Sequence, residues 1–268
     1  LHSDTHSFPT RRSSDLLITV SDVLFITRPA HNVFEIARIA VKEGKHLFIE
    51  SPFCCGQNQV DHLYHLARES GSIIKLNRRL IHQPLYTSVK EDLNPEQVMI
   101  RIEAPLRDHS REMMQDWIYE AVSLLRDTIP SGLRRCKAHI VQPVNPGGTP
   151  PACQVKLDYD NGSTALIWIN HLTGKTSYEV EFLQDNGKYD LSFSHGLGKV
   201  YDALKDKDHR LKDRLSPEDD LTVLDFNDLV DYISVPRMPL TMNEEHETIH
   251  QMAYQVLEQI DSKIRLFA

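Results

Sequence analysis

The sequence has few cysteines: Cys54, Cys55, Cys136 and Cys153 are all it carries in 268 residues. They are too few and too scattered for a disulfide framework, which points to a reducing compartment, the cytoplasm. It has no apolar run near the roughly 20 residues that span a bilayer, so no membrane helix is expected. It has no excess of positive charge: the net charge is −8, with both signs interspersed. That argues against nucleic acid and anionic membrane surfaces as partners. No internal repeat is visible, which removes solenoids and propellers. What is present is ordinary for a globular protein: 40% hydrophobic and 25% charged residues, in a length that suits two modest domains.

The stretch from Asp22 to Pro52 organises the chain. Val23 to Ile26 is a continuous apolar run, as expected of a strand buried on both faces of a parallel sheet. Asn32 is placed to cap a helix, with Glu35 three residues on. Val33, Ile36, Ala37, Ala40 and Val41 then share one helical face, and Gly44 stands where a helix end favours a left-handed residue. Leu47 to Ile49 is the next strand. This is a βαβ unit, and its loops leave the carboxyl ends of adjacent strands, where open α/β sheets bind ligands.

Three pieces of this stretch carry a family resemblance: Ile26-Thr27-Arg28-Pro29, Glu43-Gly44-Lys45-His46 and Glu50-Ser51-Pro52. Their order and spacing resemble the Gfo/Idh/MocA family, relatives of glucose-fructose oxidoreductase and inositol dehydrogenase. The resemblance spans residues 17–268 and is strongest over 22–90. It implies an α/β protein: the C-terminal part of a Rossmann domain with a parallel sheet, residues 17–95, then an α+β domain with an open antiparallel sheet, residues 96–268. It also implies an NAD or NADP cofactor, a sugar- or polyol-type substrate, and a homo-oligomer formed through the antiparallel sheet. Thr27, Arg28, Pro29, Glu50, Pro52 and Arg78 fall at cofactor-binding positions. Two departures stand out: Arg28 occupies a position where Thr is usual, and Ser51 stands where the family carries its active-site Lys.

The chain beyond Pro52 gives a second unit. Asn58 is read as the cap of a helix with Val60, Leu63, Tyr64 and Ala67 on one face, ended by Gly71, and Ile73 to Leu76 as a strand. His62 and His65 lie one turn apart near Cys54 and Cys55. They suit a metal pair or a plain polar face, but no carboxylate completes a ligand set, so no metal is assigned. Asn77-Arg78-Arg79 follows, suited to an anionic group or to a solvated strand end. Asn94-Pro95-Glu96 reads as the crossing to the second domain, Val98 to Ile102 as a strand, and Ser110 to Thr128 as an amphipathic helix. On this helix the family carries D-x-G-x-H-x-x-D. Here Asp116 is retained, Ile118 replaces Gly, Glu120 replaces His and Ser123 replaces the last Asp. Asp116, Glu120 and Ser51 are thus the catalytic candidates by resemblance. The plainer reading of Asp116 and Glu120 is an exposed polar helix face.

Further on, Asn161-Gly162 and Asn186-Gly187 each sit between strand-like runs and signal hairpins. Residues 195–220 read as a long polar surface connection with one short helix at most. Helices follow at about Leu221 to Ile233 and Asn243 to Arg265. The sequence contains no G-x-G-x-x-G turn, the element that holds a dinucleotide pyrophosphate at a helix N-terminus. His195-Gly196-Leu197-Gly198 lacks the third glycine and is read as a loop. The chain is therefore expected to be N-terminally truncated, starting near the fourth strand of the Rossmann sheet. His6 to Leu16, HSFPTRRSSDL, resembles a translated sequencing adapter. The alternatives are a Ser/Arg-rich disordered tail or a transit peptide, and residues 1–16 are set apart from the fold. An interrupted strand pattern follows them. With two proton-handling positions changed, the rival to a working oxidoreductase is a non-catalytic relative serving as a binding or partner subunit. A chance match to an unrelated α/β protein is the third reading.

Overall fold

The computed structural model describes residues 13–27, 33–50, 56–105, 110–141, 149–203, 207–212, 220–234 and 240–267. The first unit runs up to Leu76 and includes the stretch ending at Glu247. It contains helix α1 (Ser13–Val20), strand β1 (Val23–Ile26), helix α2 (Val33–Lys42), strand β2 (His46–Ile49), helix α3 (Gln57–Ser70) and strand β3 (Ile74–Leu76). The strands form a parallel sheet in the order β1-β2-β3. Ala37, Ala40, Val41, Val60, Leu63, Tyr64 and Ala67 are buried, so both helices turn the expected faces inward. Gly44 and Gly71 close their helices at φ of 72° and 73°.

Three expectations change in this unit. Helix α3 is capped at Gly56, not Asn58: the Gln59 side chain accepts the Gly56 N–H at 3.0 Å, three residues back. Asn58 lies inside the first turn. Strand β1 is not buried on both faces, and Phe25 is 46% exposed. It is the outer strand among the described residues, so it has a neighbour on one edge alone. The interrupted strand pattern after residue 16 is the end of helix α1, where Ile18 is buried. The Asn32 cap lies outside the described residues.

The opposite edge of the sheet is closed by side chains. Helix α7 (Leu240–Phe267) begins in this unit. Its Asn243 accepts the Ile74 N–H at 2.9 Å through Oδ1 and donates to the Ser72 carbonyl at 2.8 Å through Nδ2. His246 Nδ1 accepts the Leu76 N–H at 3.4 Å. An amide and an imidazole thus accept from the Ile74 and Leu76 N–H groups, which a further strand would otherwise pair.

The second unit spans 77–234 and resumes at Thr248. It begins with 3-10 turn η1 (Arg79–His82), helix α4 (Pro84–Thr87), 3-10 turn η2 (Lys90–Asp92), strand β4 (Gln97–Glu103) and helix α5 (Arg111–Thr128). Strands β5 (Leu133–Ile140), β6 (Ala152–Tyr159), β7 (Thr164–Asn170), β8 (Ser177–Gln184), β9 (Gly187–Ser192), β10 (Leu197–Asp202) and β11 (Lys207–Lys212) follow, then helix α6 (Leu221–Ser234) and the rest of α7. The eight-stranded sheet has the order β11-β10-β9-β8-β4-β7-β6-β5. It is antiparallel throughout except that β4 runs parallel to β7. Strands β10 and β11 occupy part of the stretch read as a surface connection. Their residues are mostly exposed and polar, so no apolar alternation marks them.

One face of this sheet is buried through Val98, Ile100, Ile102, Ala165, Ile167, Ile169, Val180 and Phe182. On the other face Leu166 and Trp168 are half-buried, and the Arg101 guanidinium lies 5.4 Å from the Trp168 ring centroid while pairing with Glu179 at 3.2 Å. No described helix is long and apolar enough to cross a membrane.

Candidate active site

The chain leaves β3 at Leu76 and passes into η1 through Asn77 and Arg78. A polar cluster forms here from η1, α5 and α6. The Arg78 N–H donates to Asp225 Oδ2 at 2.7 Å, and His82 Nε2 lies 2.9 Å from Asp225 Oδ1 and 3.4 Å from Asp228 Oδ2. Asp225 is fully buried, so its charge is stabilised by these hydrogen bonds rather than by water. The three ligand-type atoms of His82, Asp225 and Asp228 lie within 4.8 Å of one another, the one such grouping among the described residues. Hydrogen bonding between imidazole and carboxylates accounts for it without an ion.

Arg79 turns the other way, to α5. Its Nη2 and Nε both reach Glu120 Oε1, at 3.0 and 3.3 Å. The pair is unequal: the Arg79 side chain is 57% exposed and that of Glu120 only 11%. Burial pushes the Glu120 carboxyl above its ordinary 4.5. Arg79 and the Leu80 backbone N–H pull it back, and the Asp225 charge adds to the rise. Glu120 Oε2 is buried and has no hydrogen-bond partner among the described residues. One oxygen is therefore anchored, and the other is available to hold or exchange a proton.

The helix is placed by its ends and its face. Ser110 caps α5, its Oγ accepting the Met113 N–H at 3.1 Å. Met114, Ile118, Ala121, Leu124 and Leu125 are buried, and Tyr119 meets His250 of α7 edge-on at 5.2 Å. Arg111 ties the first turn to Asp261 at 2.7 Å. Asp116 sits one turn before Glu120 on the same face, half-buried. The exposed polar face expected for Asp116 and Glu120 is thus replaced by a largely enclosed one, because η1 packs against α5 there.

The other candidates divide. Arg78 joins the cluster and is 7% exposed, so it is no solvated strand end. Thr27 and Glu50 follow β1 and β2 in the first unit, Thr27 exposed and Glu50 half-buried. The Glu50 N–H donates to the Ile26 carbonyl at 2.9 Å, which sets the two strand ends side by side. Ser51, Arg28, Pro29 and Pro52 lie outside the described residues, as do Cys54 and Cys55. His62 and His65 are exposed, and His65 pairs with Glu69 at 3.6 Å. Sequence reasoning missed His82, Asp225 and Asp228. Asp225 meets its partners across more than 140 residues of chain, which no local pattern reveals.

No protein-family model and no curated protein sequence matches the chain. Solved structures do. A UDP-N-acetylglucosamine 3-dehydrogenase from Acidithiobacillus ferrooxidans superposes with a TM-score of 0.82 at 16% identity, over 96% of this chain and 83% of that one. A Gfo/Idh/MocA family oxidoreductase from Vibrio cholerae gives 0.73 at 15% identity, over 94% and 82%. A biliverdin reductase from Synechocystis, solved with biliverdin and NADP+, gives 0.73 at 16% identity, over 93% and 83%. At such identities the likeness is one of fold, and the chain has the fold of a Gfo/Idh/MocA family oxidoreductase: a parallel sheet followed by a mixed eight-stranded one.

Proposed function

We propose that the chain belongs to an NAD(P)-dependent oxidoreductase acting on a hydroxyl or keto group of a sugar- or polyol-type substrate, with Glu120 as its proton-handling group. The observation that carries this reading is the state of Glu120. It is a nearly buried carboxyl, held through Oε1, with its pKa raised and its second oxygen unpartnered among the described residues. A general acid–base needs a pKa drawn toward the working pH and a fixed orientation, and burial together with the Arg79 and Leu80 contacts provides both. Arg79 keeps the ionised form accessible. Asp116, one turn away, is a second carboxylate on the same face.

The residues present do not fit a complete dinucleotide. The 268 residues contain no Gly-rich turn, and that turn brings backbone N–H groups against the pyrophosphate. Thr27 and Glu50 end two parallel strands, but neither is a phosphate cradle. Cofactor binding therefore requires a turn supplied from outside these residues. When bound, the nicotinamide would supply the hydride chemistry. The same feature, together with Ser51, favours the second reading, a non-catalytic relative used as a binding or partner subunit. The test is to follow NADH absorbance with a panel of hydroxy and keto substrates, using protein that includes a Gly-rich turn. Turnover of a sugar or polyol supports the enzyme. Tight NADH binding with no turnover across the panel supports the non-catalytic reading.

A further inference from the structure

Turn η1 is too short to fix its own position. It has four residues, Arg79–His82, and no side-chain cap at Arg78. Two backbone bonds close it, Ile81 N–H to the Arg78 carbonyl and Gln83 N–H to the Leu80 carbonyl, both at 3.2 Å. Hydrogen bonds in 3-10 turns are poorer in geometry than those of an α-helix. Yet the first two residues of this turn are the ones that meet Glu120. Arg79 Nη2 and Nε reach Oε1 at 3.0 and 3.3 Å, and the Leu80 N–H supplies a backbone hydrogen bond. The hold on Glu120 is therefore only as firm as the placement of η1.

That placement comes from α6. The Asp225 carboxylate takes the turn at both ends. Its Oδ2 accepts the Arg78 N–H at 2.7 Å, just before the turn, and its Oδ1 lies 2.9 Å from Nε2 of His82, the last residue of the turn. The two residues that contact Glu120 thus lie between the two that Asp225 holds. A carboxylate suits this task, since it offers two acceptor oxygens in one rigid plane. Asp225 is 0% exposed, and a buried charge is tolerated only when it is hydrogen-bonded. Opening either bond removes a partner from that charge, so the clamp resists opening. Further along α6, Asp228 Oδ2 lies 3.4 Å from the same His82 nitrogen. In the other direction, the buried Asn77 side chain donates to Thr222 Oγ1 at 3.3 Å. Thr222, Asp225 and Asp228 recur at every third residue, so one face of α6 meets the chain from Asn77 to His82.

We propose that Asp225 is a positioning residue: its carboxylate clamps both ends of η1 and so presents the Arg79 guanidinium and the Leu80 N–H to Glu120. Its bearing on proton transfer rests on the oxidoreductase reading, but the clamp itself does not. The test follows the Glu120 carboxyl by carbon NMR through a pH titration of the full chain, with Glu120→Gln identifying its signal. Arg79 lowers the Glu120 pKa and the Asp225 charge raises it, so the two variants separate the clamp from the charge. His82→Ala opens one end of the clamp and keeps the Asp225 charge. It should raise the Glu120 midpoint, by as much as roughly 1–3 pH units where Arg79 leaves altogether. Asp225→Asn keeps an acceptor for the Arg78 N–H and offers an amide N–H to the His82 ring, but removes the charge. It should lower the Glu120 midpoint. A purely structural role would reduce the thermal midpoint of both variants without moving Glu120 in opposite directions. Glu120 titrating at or below its wild-type midpoint in His82→Ala, or at or above it in Asp225→Asn, would overturn the proposal. His82→Ala decides alone if the buried Asp225→Asn substitution prevents folding. No nicotinamide, substrate or turnover enters the titration, so turnover can fail with the clamp intact, and the clamp can fail with turnover present.

Discussion

Glu120 illustrates how one residue can be legible in type and hidden in state. Its spacing from Asp116 puts both on one face of α5, and that much follows from helix geometry. Its enclosure does not, because the covering group comes from η1, 41 residues earlier in the chain. The raised pKa has a consequence for stability. Between the ordinary 4.5 and the raised folded-state value, the folded protein keeps a proton that the unfolded chain has lost. Stability is therefore highest with respect to this group below that window and falls as the pH rises through it. Glu120→Gln removes this contribution. Urea unfolding from acid to neutral pH should show the wild type losing stability relative to Glu120→Gln as pH rises, and a constant difference between the two would contradict the raised pKa. Asp225 was not legible at all: its carboxylate is meaningful only because Arg78 and His82 arrive from far along the chain.

At the scale of elements, most of the architecture was legible and one hairpin was not. The βαβ repeat, the long α5 and the hairpins at Asn161-Gly162 and Asn186-Gly187 follow from periodicity and turn chemistry, which are local. The β10–β11 pair escaped because its strands carry lysines and a histidine facing solvent on a sheet edge. What holds β10 against β9 is partly the absence of a side chain. Asp202 lies opposite Gly187, and a Cβ at Gly187 would run into the Tyr201 carbonyl. Backbone cannot yield as a flexible side chain can. Gly187→Ala should therefore lower stability by about 1–3 kcal/mol, as overpacking does. Gly174→Ala is the control, since nothing lies within 4 Å of its added methyl and its φ is not left-handed. Equal thermal midpoints for the two variants would refute the close approach.

For the whole molecule, the outer face of the eight-stranded sheet raises the question of association. Both faces of Ala165 to Ile169 are apolar, and the outward Leu166 and Trp168 remain half-buried beside Met99 and the Arg101–Glu179 pair. An apolar strip of this kind, rimmed by charge, suits a second copy of the same sheet. Self-association through this face is the expected outcome, checked by light scattering at micromolar concentration. A monomer mass, or a dimer mass unchanged by Trp168→Glu, would count against this surface.

Proton handling by the buried Glu120 is the proposal on which the enzymatic reading turns. Its most direct measurement is the pH dependence of turnover for wild type and Glu120→Gln, followed by NADH absorbance in protein that carries a Gly-rich turn. The wild-type rate should be controlled by a group titrating above the usual carboxylate range, with a loss of roughly 10²–10⁴-fold on substitution and the pH dependence flattened. Glu120→Gln turning over at the wild-type rate with the same pH profile would contradict it.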